Sequence, residues 1–231
     1  MAHLQGPEKS PAYKYMKVVD LKKISYESGL NYQLEVLEAV SRGGEETLIF
    51  CSHDPVLTLG RATRSEDIVE WTGETVEVQR GGRVTFHGPG QVIVYPILRL
   101  NTRGRDLHKY LRQLEEAVLR LLSDYGVEGR REKGATGVWV GSKKVASIGI
   151  AAKKWVTYHG LALNFENEFA RYGTFSPCGF KQSDMIGLKE LIAEDVSRDQ
   201  VQQRLKELLI EVLSAEKSAG NPTELTQQAS L

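Results

Sequence analysis

The sequence predicts an α+β domain, with a mixed, mostly antiparallel sheet flanked by helices. Three observations lead there. Strand-like and helix-like runs follow one another without a regular strand–helix–strand rhythm, which argues against a doubly wound parallel sheet. The second half is dominated by short strand-like runs, two of them joined by a Gly-Ser turn of the hairpin kind. Two longer segments carry apolar residues at helical spacing, and glycine stops each of them.

Taken in order, Met16–Leu21 alternates weakly and is expected to be a first strand. Ser25–Val40 places Leu30, Leu34, Leu37 and Val40 at helical spacing, with Gly43-Gly44 as the stop. Thr47–Cys51 is a short apolar strand, and Val56–Gly60 follows Asp54-Pro55 as another. Glu74–Gln79 alternates at period two, with Val76 and Val78 on one face. Arg80–Gln91 then holds Gly81, Gly82, Gly88, Pro89 and Gly90, and is expected to be a glycine loop walling a binding site. Gln91–Leu100 is almost continuously apolar, as a strand buried on both faces would be. Asp106–Tyr125 is the clearest helix, with Leu107, Leu111, Leu114, Val118, Leu121 and Leu122 on one stripe and Gly126 at its end.

Gly137–Val140 and Val145–Ala151 read as a hairpin about Gly141-Ser142. Trp155–Tyr158 and Leu161–Phe165 are two further strands. Glu166–Tyr172 is a short helix, Pro177-Cys178-Gly179 a tight turn, Gly187–Asp195 a linker and Val196–Val212 a final amphipathic helix. Residues 1–15 are expected to form a flexible arm, 16–214 the folded domain, and 215–231 a disordered polar tail.

Composition narrows the function. At 231 residues and 41% hydrophobic content the chain has material for one sizeable core. Lys+Arg and Asp+Glu are 30 each, so no net charge steers the chain toward nucleic acid or a membrane surface. No apolar run approaches the ~20 residues that span a bilayer. Residues 1–15 carry no apolar core or cleavage signature, so no secretory leader is expected. Two cysteines, Cys51 and Cys178, are too few for a disulfide framework and suit a reducing cytoplasm. Metal binding is not expected, because the cysteines are far apart and no histidine pair has helical ligand spacing. Arg80–Gln91 lacks the phosphate-loop pattern GxxxxGK[ST], and no helix follows it as a dinucleotide fingerprint requires.

Chemistry concentrates on a few residues. Cys178 lies between a proline that fixes the approach and a glycine that leaves its far side open, which suits a presented thiol nucleophile; most free cysteines are instead small buried hydrophobes. Cys51 sits inside an apolar strand and is read as structural. A thiolate needs a nearby cation, and His87, His159, Lys143 and Lys144 are the candidates. Lys143 and Lys144 point to opposite faces of their strand, so at most one faces the site. A lysine is more often solvated surface, and His159 is as readily a histidine bonded to backbone.

Four blocks, RGGRVTFHGPGQ, GVWVGSKKVASIGI, YHGLALNF and SPCGF, occur in an order and spacing that resembles the octanoyl-[carrier protein]:protein octanoyltransferases, also called lipoyl(octanoyl) transferases or lipoate-protein ligase B. The resemblance runs from about Val19 to about Leu213. It implies the α+β catalytic domain of biotin and lipoate protein ligases. It implies an acyltransferase that moves octanoyl, or lipoyl, from acyl carrier protein to one lysine of the lipoyl domains of 2-oxoacid dehydrogenases or of the glycine-cleavage H protein. The family's acyl-thioester cysteine falls on Cys178 and its pKa-lowering lysine on Lys144. Substrate contacts fall on Arg80, Gly81, Gly82, Arg83, Val84, Thr85, Phe86 and His87, on Ser147, Ile148 and Gly149, and on Gly160, Leu161 and Ala162, with His159 as a supporting candidate.

No cofactor is expected beyond the phosphopantetheine that the donor carries, and no ATP, nucleic acid or membrane. A monomer is expected. A basic patch for an acidic carrier protein would draw on Arg99, Arg103, Arg105, Lys109, Arg130, Arg131 and Lys133. The alternatives are an ATP-dependent lipoate or biotin ligase of the same fold, and a non-catalytic carrier-protein binder.

Overall fold

The structure, a computed structural model, describes residues 16–68, 71–166 and 184–214. A seven-stranded sheet carries the fold. Its strands are β1 (Lys17–Ile24), β2 (Thr47–His53), β6 (Gln91–Ile97), β7 (Arg130–Glu132), β8 (Ala135–Val140), β9 (Lys143–Lys153) and β10 (Val156–Asn164). They lie in the order β1-β2-β6-β10-β9-β8-β7. The β1–β2 pair is parallel and every other pair antiparallel, so the sheet is mixed and mostly antiparallel as expected. A smaller sheet joins β3 (Val56–Leu59), β4 (Glu74–Glu77) and β5 (Val84–His87) in the order β4-β3-β5.

Both faces of the large sheet are covered. Along β6, Val92 and Val94 enter one apolar cluster while Ile93, Tyr95 and Ile97 enter another, which is why this strand reads as a continuous apolar run. On the first face lie α2 (Leu107–Asp124), through Leu114, Val118 and Leu121, and α3 (Arg198–Ser214), through Leu205, Leu208 and Leu209. On the second lies α1 (Tyr26–Ser41), through Leu37 and Val40. The caps are local: Ser25 accepts from Ser28 N–H, and Asp106 from Lys109 N–H. Gly43 and Gly126 take the left-handed backbone that ends α1 and α2 (φ +101° and +69°).

Several expectations are corrected. Arg80–Gln91 is not wholly loop. Val84–His87 pairs antiparallel with β3, because Val84 and Phe86 alternate into an apolar cluster with Leu57 and Met185 while Thr85 and His87 face the other way. The buried face of α1 is Tyr26, Gly29, Gln33, Leu37 and Val40, leaving Leu34 exposed. On that face Gln33 accepts a hydrogen bond from His159 N–H of β10 (2.8 Å), a polar anchor that an apolar stripe alone does not reveal. The expected linker at 187–195 packs instead, with Leu188 fully buried and Leu191 and Ile192 against the main core.

The expected strands at Trp155–Tyr158 and Leu161–Phe165 merge into the single β10, whose turn from β9 puts Lys154 and Trp155 at positive φ. The short helix expected at Glu166–Tyr172, beyond Glu166 itself, the Pro177–Gly179 turn with Cys178, residues 1–15 and residues 215–231 lie outside the described residues.

Leu121 is fully buried where α2 meets the sheet and α3. Leu121→Ala is expected to cost about 2–5 kcal/mol, read as a lower denaturation midpoint at unchanged slope.

Candidate active site

The site forms where β9 runs past the end of β8. β8 pairs with β9 only between Lys143 and Ser147, so the next residues of β9 present an open edge. The glycine segment fills it: Gly81 N–H donates to Ile150 O (3.1 Å). Alternation along β9 then makes two chambers. Lys144, Ile148 and Ile150 face a trough of about 400 Å³, walled by Gly81–Arg83 and by Leu107, His108 and Leu111 of α2. Ser147 faces a slot of about 20 Å³ lined by Tyr26, Arg80, Thr85, His87, Tyr95 and His159. The two chambers share Gly149.

Gly149 has to be glycine. A Cβ there would come within 2.9 Å of Arg80 Cδ. Gly160 is as constrained, since a Cβ would lie 2.2 Å from Val94 O. These close approaches let loop, β9, β10 and β6 converge on the slot without side chains filling it.

Arg80 and Arg83 stand among the substrate contacts that the resemblance implies, and each lines a chamber. Both also hold other groups of the protein. Arg80 is buried, and its guanidinium donates to Gly81 O (3.0 Å), Arg83 O (2.8 Å), Thr58 O (2.8 Å) and Thr58 Oγ1 (2.7 Å). Arg83 grips the buried Asp67 carboxylate with two donors, Nε at 2.8 Å and Nη2. Both arginines therefore shape the loop. Val84 and Phe86 point into the apolar cluster of the small sheet, while Gly81, Gly82, Arg83, Thr85 and His87 line one chamber or the other. Ser147, Ile148 and Gly149, and Gly160, Leu161 and Ala162, also line them, and His159 joins the slot.

Of the two lysines, Lys143 is exposed and Lys144 is 2% exposed. Lys144 Nζ lies 4.9 Å from the centre of the Trp139 ring, a cation–π contact in a desolvated setting. Gly137 makes room for it: a Cβ there would meet Lys144 Cε at 2.6 Å, and its φ of +139° is one that side chains rarely adopt. The Gly137 N–H in turn donates to Glu115 Oε1 (3.2 Å), a buried carboxylate on α2 held by Arg112 and Arg131. Sequence reading missed both residues. The available signals were a glycine inside a strand and a glutamate on an apolar helical stripe.

The histidines of the slot are neutral. Burial pushes the His159 imidazole down to about 3, with the Arg80 cation adding to the effect. Burial likewise holds His87 well below 6.5, helped by His53 and Arg80, and lowers His53. His159 also sits at φ +57°, a strained conformation for a residue with a Cβ.

Of the expected basic patch, Arg105, Lys109, Arg130, Arg131 and Lys133 are exposed, whereas Arg99 and Arg103 turn inward. Arg103 is buried against Glu46, and Arg99 donates to Val40 O and Gly44 O. Arg130 pairs with Glu132, and Arg131 with Glu115 and Glu116. Arg105 lies over the Trp155 ring. No group of three or more His, Cys, Asp or Glu among the described residues is placed to hold a metal.

The model of the lipoyl protein ligase A/B catalytic domain matches residues 25–210. The chain belongs to this family. Its relatives include an octanoyltransferase of Geobacter metallireducens, 42% identical over 182 residues, spanning 78% of this chain and 85% of that one. Another, from Bdellovibrio bacteriovorus, is 38% identical over 208 residues, spanning 82% and 95%.

Solved structures share the ligase A/B architecture. A lipoate-protein ligase A bound with ATP superimposes at TM-score 0.67 with 18% identity, covering 86% of this chain and 85% of its own. The biotin protein ligase of Aquifex aeolicus with biotin and ATP does so at 0.57 and 15%, covering 89% and 74%. At these identities the likeness concerns fold alone. Within the ligase A/B domain, the glycine segment, β9 and β10 enclose the two chambers.

Gly137→Ala is expected to displace Lys144 and to cost about 1–3 kcal/mol in thermal or chemical unfolding. The depressed histidines set a pH dependence. The unfolded chain takes up protons below about 6.5 that the folded chain refuses, so stability is intact above that pH and is lost as pH falls toward about 3. His159→Asn, which suits the positive φ, is expected to flatten that loss in denaturation measured from pH 7 to pH 4.

Proposed function

We propose that this chain is an octanoyltransferase of protein lipoylation, carrying an octanoyl group from acyl carrier protein to a lysine of a lipoyl domain through a thioester on Cys178. The observation that carries the reading is the buried Lys144 cation at the wall of a trough, in a chain 42% identical to an octanoyltransferase. Further support comes from the chain path. Met185 forms a parallel bridge with Lys144, and Ile186 N–H donates to Lys144 O (3.1 Å). The backbone seven residues after Cys178 is thereby tethered beside Lys144.

Lys144 as ammonium favours the Cys178 thiolate. The thiolate attacks the octanoyl thioester carbon, the carbon–sulfur bond to the carrier breaks, and the departing thiolate takes its proton from Lys144. Neutral Lys144 then accepts a proton from the incoming lysine ammonium. The freed amine attacks the acyl-cysteine, the amide forms, the Cys178 thiolate leaves, and the amine's remaining extra proton goes to solvent. The cycle ends with thiolate and ammonium restored. Exchange between thioesters is nearly isoenergetic and amide formation is downhill, so ATP is not consumed. An octanoyl chain running from Lys144 past Gly149 uses the glycine floor shared by both chambers, and each buried methylene contributes about 0.8 kcal/mol.

Donor and acceptor identities follow from the same reading: acyl carrier protein on one side, lipoyl domains of 2-oxoacid dehydrogenases and the glycine-cleavage H protein on the other. A cytoplasmic setting goes with it. No helix among the described residues is long and apolar enough to cross a membrane.

Intact-mass measurement after mixing with octanoyl carrier protein tests the proposal. The expected result is one octanoyl group added without ATP, absent from Cys178→Ser and slowed about 10²–10⁴-fold in Lys144→Ala. Full lipoyl-domain modification by Cys178→Ser with a requirement for ATP would overturn it in favour of a ligase.

A further inference from the structure

Two buried amides outside the chambers' main chemistry form a chain between the two sides of the site. Gln91 and Asn164 face each other across β6 and β10 in direct register, and both are buried. Asn164 Nδ2 donates to the backbone carbonyl of Lys144 (3.3 Å). Its oxygen therefore faces Gln91 and accepts from Gln91 Nε2 (3.0 Å). The same Nε2 donates to Phe86 O (3.2 Å), and Gln91 Oε1 accepts from Gly88 N–H (3.4 Å). Backbone groups cannot exchange donor for acceptor. The Lys144 and Phe86 carbonyls and the Gly88 N–H thus fix both amide orientations independently of any choice of hydrogen positions.

Gln91 Oε1 then meets His87 Nδ1 at 3.2 Å. An amide oxygen only accepts, so Nδ1 must carry the proton. His87 is packed among Tyr26, whose ring stacks on it at 5.8 Å, His53 at 6.0 Å, and the charges or potential charges of Arg80 and His159. Burial and these neighbours keep the ring neutral at neutral pH, and a neutral imidazole has one N–H. With Nδ1 protonated, Nε2 holds a lone pair, and His87 lines the slot. His53 behaves alike. Its Nδ1 donates to Ile24 O (2.8 Å), so its Nε2 accepts from the Tyr95 hydroxyl (2.8 Å) and the Tyr95 oxygen is left an acceptor at the same slot.

We infer that Gln91 and Asn164 are positioning residues that tie the Lys144 peptide to His87 and hold His87 as its Nδ1–H tautomer, presenting an unprotonated Nε2 to the substrate slot. Neither residue touches substrate. Their effect passes through His87 at the slot wall, where the octanoyl-transfer reading puts the acyl donor in ground state and transition state alike. The kinetic part of this inference rests on the octanoyl-transfer reading, whereas the tautomer does not.

The test is nitrogen NMR of ¹⁵N-histidine-labelled full-length protein, which separates protonated from unprotonated ring nitrogens. The wild type is expected to show His87 as Nδ1–H. Gln91→Met removes the acceptor at similar volume, and is expected to yield a tautomer mixture and to raise KM for octanoyl carrier protein about tenfold, with kcat within about twofold. Gln91→Glu restores an acceptor and is expected to keep the Nδ1–H form at alkaline pH. An Nε2–H tautomer in the wild type overturns the inference. So does a Gln91→Met protein with tautomer or KM unchanged. If Gln91→Met does not fold, the wild-type spectrum alone decides. Failure of the wild type to transfer octanoyl strikes the functional reading and leaves this measurement valid.

Discussion

The guanidinium of Arg80 is buried, and a buried charge must find acceptors or destabilise the fold. It finds three backbone carbonyls and a hydroxyl, drawn from β3 and from its own loop. This one residue fastens the glycine segment to the small sheet and lies over Gly149 of the large one. Its charge also helps to keep His87 and His159 neutral. Burial is the main cause of that neutrality, and Arg80 adds to it while also shaping the slot. A lysine at this position would offer a point charge in place of the planar fork that spans Thr58, Gly81 and Arg83.

A second constraint is close approach. Gly137, Gly149 and Gly160 each sit where a Cβ would strike backbone or a site side chain at 2.9 Å or less. At Gly137 the vacated space belongs to Lys144, and at Gly149 to Arg80. The site is therefore built from omitted side chains as much as from present ones. Around that space runs a polar shell of Glu115, Gln33, Gln91 and Asn164, all buried and each hydrogen-bonded to backbone near a chamber. Such networks fix geometry because each member, once desolvated, is costly to leave unpaired.

Much of the fold was legible. Period-3.6 spacing located the α2 stripe, a continuous apolar run the doubly buried β6, and a Gly-Ser turn between strand-like runs the β8–β9 hairpin, since such patterns record which side of an element meets the core. The reading faltered where a polar residue occupied a core-facing position. Gln33 made the buried face of α1 look different from its apolar stripe, and the glycines around Val84–His87 hid a strand whose alternation was short. Family motifs pointed to Arg80–His87, a stretch that lines both chambers, but not to which side chains turn into the small sheet's apolar cluster. Arg80 and Arg83 line the chambers and also bind loop carbonyls and Asp67.

The sequence by itself determined the fold class and that at most one of Lys143 and Lys144 faces inward, because strand alternation is a one-dimensional property; the resemblance carried by four motifs pointed to Lys144, and burial in the structure separates the two. Only the tertiary structure decided what those groups meet. The Trp139 ring under Lys144, the open edge of β9 that receives Gly81, and the amide chain from Lys144 to His87 each join residues by spatial proximity. Hydrogen bonds and desolvation act over a few ångströms of space, and pairs such as Gln91 and Asn164 come within that range only when β6 and β10 lie side by side.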